Sequence, residues 1–182
     1  MYEGVNDNST PSDKIDLFIS LFAGRNDIYA KRWTSKKGVS GYSPVCYNFW
    51  TSVCPKKKNS KLKCGECKNQ DFAPYNTEVV EKHLLGDIVV GVYPMLLDET
   101  CRFLAFDFDA KEYKTTDLIR DVTAVLDSCN DKGINVGVER SRSGNGFHLW
   151  LFFSENIPVN IARKFGSSLI TYTMCKNHAL SF

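Results

Sequence analysis

No uninterrupted apolar run in this 182-residue chain is long enough to cross a bilayer. Met1 to Ser12 is polar and lacks the basic-then-apolar order of a secretory leader. These two absences place the chain, as an expectation, in the cytoplasm and away from membranes. A strong charge excess is also missing. Lys and Arg total 23 against 21 Asp and Glu, a formal net charge of +2, so the whole surface is not a basic blanket for nucleic acid. There is no internal repeat and no low-complexity stretch. What remains is the composition of a soluble globular protein, 43% hydrophobic and 24% charged. The length suits one domain, or one domain with a small appendage.

Cysteine is not scarce, and its distribution is uneven. Of the seven, Cys101, Cys129 and Cys175 are scattered among apolar neighbours and read as core thiols. Cys46, Cys54, Cys64 and Cys67 are clustered, which in a cytosolic chain favours metal over disulfides. Cys64-Gly65-Glu66-Cys67 has the form of a knuckle half-site, because the glycine lets the backbone turn both thiolates toward one ion. Cys46 and Cys54 stand further apart than usual, and free thiols are the other reading. Four thiolates close the shell of a zinc ion, so the expected Zn²⁺ is structural. Lys56, Lys57, Lys58, Lys61, Lys63 and Lys68 crowd the same stretch, opposed by Glu66. Such a cluster reads phosphates or is merely a solvated loop. Tyr29, Lys31, Arg32 and Trp33 interleave aromatic with basic side chains, as nucleic-acid surfaces and ordinary edge strands both do.

Patterning predicts an amphipathic helix over 13–23 behind Ser12 and Asp13, ended by Gly24. Residues 25–45 read as irregular, with a short strand near Ile28 to Trp33. The cysteine-lysine insert covers 46–70. A helix is expected from Thr77 to Leu85, capped near Asn76, and strands over Ile88 to Tyr93 and Arg102 to Asp107. A helix from about Thr116 to Asn130 follows, then a strand over Asn135 to Glu139. The turn Ser141-Arg142-Ser143-Gly144-Asn145-Gly146 leads to a strand over Phe147 to Phe153. Pro158 opens a last helix reaching about Met174. The fold class is α/β (α+β). A flexible N-terminus (1–12) precedes an N-terminal α/β lobe (13–100) with the zinc-binding insert. Residues 101–182 form a ferredoxin-like, RRM-like β-α-β-β-α unit whose closing strand is not evident.

Phe106-Asp107-Phe108-Asp109 carries the chemistry. Strand side chains alternate, so Asp107 and Asp109 share a face roughly 6–7 Å apart. That spacing suits two hard divalent ions about 3.5–4 Å apart; a strand running into a polar loop is the plainer reading. In the expected unit the first and third strands are neighbours, which sets both carboxylates beside His148. Glycines in the Ser143-Gly144-Asn145-Gly146 turn permit N–H groups to converge on an anion, with Arg140 and Arg142 flanking it. Alternatively this is an ordinary hairpin turn, His148 a half-buried histidine, and Glu139 and Arg140 the polar end of a strand.

Taken in order, Phe106-Asp107-Phe108-Asp109 and Ser143-Gly144-Asn145-Gly146-Phe147-His148 resemble the first two motifs of archaeo-eukaryotic primases, or primase-polymerases. The likeness is to the primase domain of TOTE conflict systems in particular. Stretches like Gly24 to Trp33, Gly41 to Cys46 and Glu139 to Gly146 recur there in this order, with a cysteine-rich insert. It covers the chain from about Ile15 onward. The resemblance implies template-directed nucleotidyl transfer, in primer synthesis and extension, with Mg²⁺ or Mn²⁺. By position, Asp107 and Asp109 would hold the ions. Arg142, Ser143, Asn145, Gly146 and His148 would bind the triphosphate of the incoming nucleotide, with His148 counted among the catalytic groups. The implied partners are nucleoside triphosphates, a single-stranded DNA or RNA template, and a fused or separate helicase. Lys31, Arg32, Lys56, Lys57 and Lys58 are expected at the nucleic acid.

One departure stands out. The family carries a third acidic motif, a hydrophobic residue then Asp, on the strand after the last helix. Beyond Phe153 the only acid here is Glu155, before that helix. The expectation is therefore a fragment of a longer protein, or a shortened version that binds nucleotide or nucleic acid with little turnover or borrows a strand. Two other readings are a non-catalytic binding module of the same fold and a metal-dependent nuclease built on Asp107, Asp109 and Glu139. A haloacid-dehalogenase-type phosphatase would need a Gly-Thr-like continuation where Ala110-Lys111-Glu112 stands.

Overall fold

The computed structural model describes residues 4–59, 61–109 and 115–177. It is a mixed α/β structure, with four α-helices and two small antiparallel sheets among the described residues. The chain divides into two compact units, Met1–Leu97 and Asp98–Phe182. No described helix is long and apolar enough to cross a membrane.

In the first unit, α1 (Pro11–Leu21) starts earlier than the sequence pattern suggests. Thr10 is the cap: its hydroxyl accepts from Asp13 N–H, and the Asp13 carboxylate accepts from Thr10 N–H at 3.2 Å. Asp13 thus closes a capping box from the third helical position, with Pro11 in the first turn. Upstream, residues 6–9 make a hydrogen-bonded turn, and the expected flexible stretch is outside the described residues only at 1–3. Strands β1 (Ala30–Thr34), β2 (Ser40–Pro44) and β3 (Val90–Gly91) form a sheet of order β2-β1-β3. β2 lies where irregular chain was expected. Ser40-Gly41-Tyr42-Ser43-Pro44 has no apolar alternation, and its strand character comes from pairing with β1. β3 is shorter than the expected Ile88 to Tyr93, since β1 pairs with it only at Ala30 and Lys31. Helix α2 (Thr77–Leu84) is capped by Asn76, whose side chain accepts from Val79 N–H at 3.1 Å. The core gathers Tyr29, Ala73, Tyr75, Val79 and Val80 against Ile15, Phe18 and Ile19 of α1.

The second unit contains β4 (Thr100–Asp109), α3 (Thr115–Asp131), β5 (Gly137–Arg140), β6 (Gly146–Pro158) and α4 (Val159–Lys176). Strand order is β4-β6-β5, all antiparallel, so β6 is central and β4 an edge among the described residues. Leu104, Phe106 and Phe108 of β4 and Leu149 and Leu151 of β6 pack with Leu118, Val122, Val125 and Cys129 of α3 and Leu169 of α4. Both helices therefore cover one sheet face. β6 is longer than expected because β4 extends back to Thr100, which pairs with Pro158. Pro158 ends that strand and caps α4 instead of sitting inside the helix. Cys101 and Cys129 are buried as expected, whereas Cys175 is exposed on the last turn of α4. The place expected for the closing strand falls at and beyond residues 178–182, outside the described residues.

Candidate active site and cysteine cluster

Alternation along β4 and β6 sends one set of side chains to the helices and the other to the opposite face. On that opposite face Asp107 is paired with His148, and Glu139 of β5 is paired with His148 from the other side. The three residues form a row across the sheet. His148 Nδ1 lies 3.2 Å from Glu139 Oε2, and its Nε2 lies 3.6 Å from Asp107 Oδ1. Trp150 Nε1 donates to the same Glu139 oxygen at 2.9 Å. A carboxylate only accepts, so the shared proton sits on His148 Nδ1 and Nε2 is left facing Asp107. The Trp150 ring lies edge-on to the imidazole, with centroids 5.7 Å apart. Asp107 is 77% exposed and Asp109 is also exposed, while His148 is 30% exposed.

The turn between β5 and β6 ends against the second aspartate, since Gly146 is paired with Asp109. A Cβ on Gly146 would stand 2.5 Å from the Phe108 carbonyl oxygen, so only glycine lets β6 start this close to β4. Within the turn, Gly144 has φ of +78°, and its N–H donates to Ser141 O at 2.8 Å. Arg140 Nε donates to Gly144 O at 2.9 Å, which lays the guanidinium along the turn. The Ser141 and Ser143 hydroxyls are 3.1 Å apart, and Asn145 N–H reaches Ser143 Oγ at 3.4 Å. Arg142, Ser143 and Asn145 are exposed at the tip.

Sequence reasoning missed the Glu139–His148 bond. Its signal was the turn length: Ser141 N–H bonds Gly146 O, and counting outward sets 139 opposite 148. It also missed Asp121, which is 2% exposed and accepts from Arg120 Nε and Nη2 at 3.1 and 3.0 Å. With Asp107, Asp109, Phe106, Phe108, Leu118 and Ile170 it lines a cavity of about 270 Å³. An acid between Leu118 and Val122 on the inward stripe of α3 was the available sign.

Among the described residues, no three His, Cys, Asp or Glu side chains are grouped as ligands of one ion. For Mg²⁺ or Mn²⁺ that is no obstacle. Mg²⁺ keeps several waters and takes one or two protein carboxylates together with phosphate oxygens. The hard oxygens of Asp107 and Asp109 fit that chemistry.

In the first unit, Cys46, Cys54, Cys64 and Cys67 all line one small cavity of about 30 Å³. All four are free thiols. Asn69 N–H donates to Cys67 Sγ at 3.4 Å, and Lys56 Nζ lies 3.6 Å from Cys64 Sγ. No three of the four thiols are grouped as ligands of one ion among the described residues, so the expected four-thiolate zinc site is not assembled here. Lys57 and Lys58 are exposed beside this cavity. On β1, Lys31 and Arg32 are consecutive and so project from opposite faces. Trp33 shares the Lys31 face and donates its Nε1–H to Ser43 Oγ at 3.0 Å, while Arg32 reaches Thr34 Oγ1. Arg25 makes two bonds to Asp27, at 2.9 and 2.5 Å, and that pairing holds the Asp27 carboxyl below its usual range.

The backbone arrangement is similar to that of a primase-polymerase domain. It is similar to the polymerase domain from Mycobacterium tuberculosis Ligase D in complex with DNA, with TM-score 0.53 and 17% identity. The match covers 94% of this chain and 65% of that chain. Residues 13–182 match the family described as TOTE conflict system, Archaeo-Eukaryotic Primase domain, and the chain belongs to that family. No curated protein matches the sequence.

Proposed function

We propose that this chain carries out template-directed nucleotidyl transfer, extending a primer along a single-stranded DNA or RNA template. The observation that carries the proposal is the register of β4 on β6: Asp107 faces His148, and Asp109 faces Gly146. Carboxylates for a metal, an imidazole and a glycine turn for a polyphosphate are thereby neighbours on one sheet face. Asp107 and Asp109 would hold Mg²⁺ or Mn²⁺, which when bound polarises the attacking 3′-hydroxyl and neutralises charge on the leaving pyrophosphate. In its doubly protonated form His148 would give Nδ1–H to Glu139 and Nε2–H to a phosphate oxygen beside the carboxylates. Glu139 holds the ring in that orientation, and Trp150 holds Glu139. Ser143 and Asn145 would donate to the triphosphate, with Arg142 adding charge at the rim.

Strand order β4-β6-β5, with α3 and α4 on one face, supports reading the second unit as RRM-like and open at β4 for a further strand. A structural Zn²⁺ in the insert would use Cys46, Cys54, Cys64 and Cys67, which line one cavity although no three of them are grouped as ligands of one ion among the described residues, so its support is their clustering in the sequence. Lys31, Lys57 and Lys58 would meet the template strand, with Arg32 serving the other face of β1. A helicase, fused or separate, would supply unwound template in the cytoplasm.

The nuclease reading needs Glu139 as a third metal ligand. Here Glu139 is bound to His148 and Trp150, and the imidazole stands between it and Asp107. A second reading keeps support: a nucleotide- or nucleic-acid-binding module with little turnover. It is favoured by the lack, among the described residues, of a third ligand grouped with Asp107 and Asp109. Primer extension with Mn²⁺ and labelled nucleotides separates the two. Incorporation that disappears in Asp107→Ala with Asp109→Ala supports the transferase. Nucleotide binding without incorporation supports the module. DNA cleavage with no nucleotide present would overturn both.

A further inference from the structure

Trp50 is 82% exposed, more than any other large apolar side chain among the described residues. Tryptophan ordinarily sinks most of its surface into a core, so an indole left in water needs a reason. Trp50 ends the 3-10 turn Tyr47–Trp50 of the cysteine insert. Tyr47 on the same turn is 62% exposed. The Phe49 ring stands edge-on to the indole, with centroids 4.7 Å apart, so Trp50 is propped outward by a neighbour.

The basic segment is folded onto this turn. Lys57 Nζ donates to the Trp50 carbonyl oxygen at 2.7 Å, which ties the Pro55–Lys57 turn to the backbone of Trp50. Lys57, Lys58, Lys61, Lys63 and Lys68 are exposed. Glu66 is the only acid between Val53 and Gln70, and it lies 3.7 Å from Lys63. The surface therefore combines open aromatic faces with a surplus of positive charge.

That combination selects among partners. Protein–protein interfaces take up tryptophan and tyrosine but are depleted of lysine. A membrane-surface element would need an amphipathic helix with a continuous apolar face, and this turn has four residues. Single-stranded nucleic acid offers what both features match: base faces for the rings and phosphates for the ammonium groups.

We propose that Trp50 and Tyr47, with Lys57 and Lys58, form a stacking platform for single-stranded nucleic acid. It deepens the nucleic-acid role proposed above, and it uses none of the residues of the Asp107–His148 site. Bases stack on Trp50 and Tyr47 while the lysines follow the backbone, so the platform grips a strand with little regard to its sequence.

The test uses the full 182-residue chain and short oligodeoxythymidine and oligouridine, read by tryptophan quenching and by anisotropy of a labelled oligonucleotide. Trp50→Ala should lose roughly tenfold or more in affinity, and Trp50→Phe should keep most of it. Lys57→Gln with Lys58→Gln should flatten the dependence of log affinity on log salt by about 0.7 for each phosphate that is no longer neutralised. Because Trp50 is exposed, its variants should melt with the parent chain. Unchanged affinity in Trp50→Ala overturns the platform. So does binding to anionic vesicles in place of oligonucleotide, or a Trp50-dependent dimer that leaves oligonucleotide binding unaltered. Asp107→Ala with Asp109→Ala removes the proposed reaction and should keep the same quench. Loss of the quench in that chain would move the strand to the carboxylates and also overturn the platform.

Discussion

His148 and Glu139 are joined across β5 and β6 by a bond of 3.2 Å between Nδ1 and Oε2, on the side of the imidazole away from Asp107. Glu139 is therefore a positioning residue for the proposed reaction. Glu139→Ala frees the ring to rotate, and should lower kcat for nucleotide incorporation about 10- to 100-fold. Glu139→Gln still offers an acceptor and should recover part of the loss. Melting should stay near that of the parent chain, since Glu139 is exposed. Equal incorporation by all three chains would remove the role.

Asp107 and Asp109 are exposed like charges at one strand end, and their removal takes nothing from the core. The double alanine variant should keep the fold and lose Mn²⁺-dependent binding of nucleoside triphosphate. Calorimetric titration with and without Mn²⁺ measures this directly. Metal-dependent binding that persists would show that the ions sit elsewhere.

Gly146 lets the turn close against β4. In Gly146→Ala the new Cβ would meet the Phe108 carbonyl oxygen at 2.5 Å, and backbone cannot yield as a side-chain tip can. Overpacking of this kind costs about 1–3 kcal/mol. Chemical denaturation should register that loss, with nucleotide affinity falling as the turn moves away from Asp109. Unchanged stability would mean that the strands separate there at no cost.

If Cys46, Cys54, Cys64 and Cys67 share one ion, elemental analysis should find about one zinc per chain. Cys64→Ser with Cys67→Ser should abolish it and lower the melting temperature. In the parent chain a chelator should raise the count of reactive thiols. Chains purified without zinc, and indifferent to its addition, would leave four ordinary thiols.

Tyr75 is buried, and its hydroxyl has no hydrogen-bond partner among the described residues. Burial disfavours the phenolate and pushes its pKa up to about 12 from 10.0. The folded state thus holds this proton more tightly than the unfolded chain. The associated stability is complete below pH 10 and is lost as pH rises through 12, by about 2–3 kcal/mol in all. Tyr75→Phe should remove that alkaline loss. It should also stabilise the chain at neutral pH by about 1 kcal/mol, since an unpartnered buried hydroxyl is deleted. Alkaline unfolding curves of the two chains make the comparison, and identical curves would refute it.

Helices and the main strands were legible where the signal was local. Asn76 caps α2, and Leu118, Val122 and Val125 mark the buried stripe of α3. Errors came where a distant partner decides. β2 has no strand pattern of its own, Thr10 in place of Ser12 caps α1, and Cys175 faces solvent despite apolar neighbours. Nothing local in the sequence marks Trp50 as open; its exposure follows from how the insert folds.

By itself the sequence determined that Asp107 and Asp109 share a face, because a two-residue period belongs to any strand backbone. It also determined that Gly144 and Gly146 supply a turn before His148. Only the tertiary structure decided that Glu139 grips His148, that Gly146 meets Asp109, and that Asp121 is buried beneath the site. These depend on strand register and helix packing, which are set by hydrogen bonds and contacts between residues far apart along the chain.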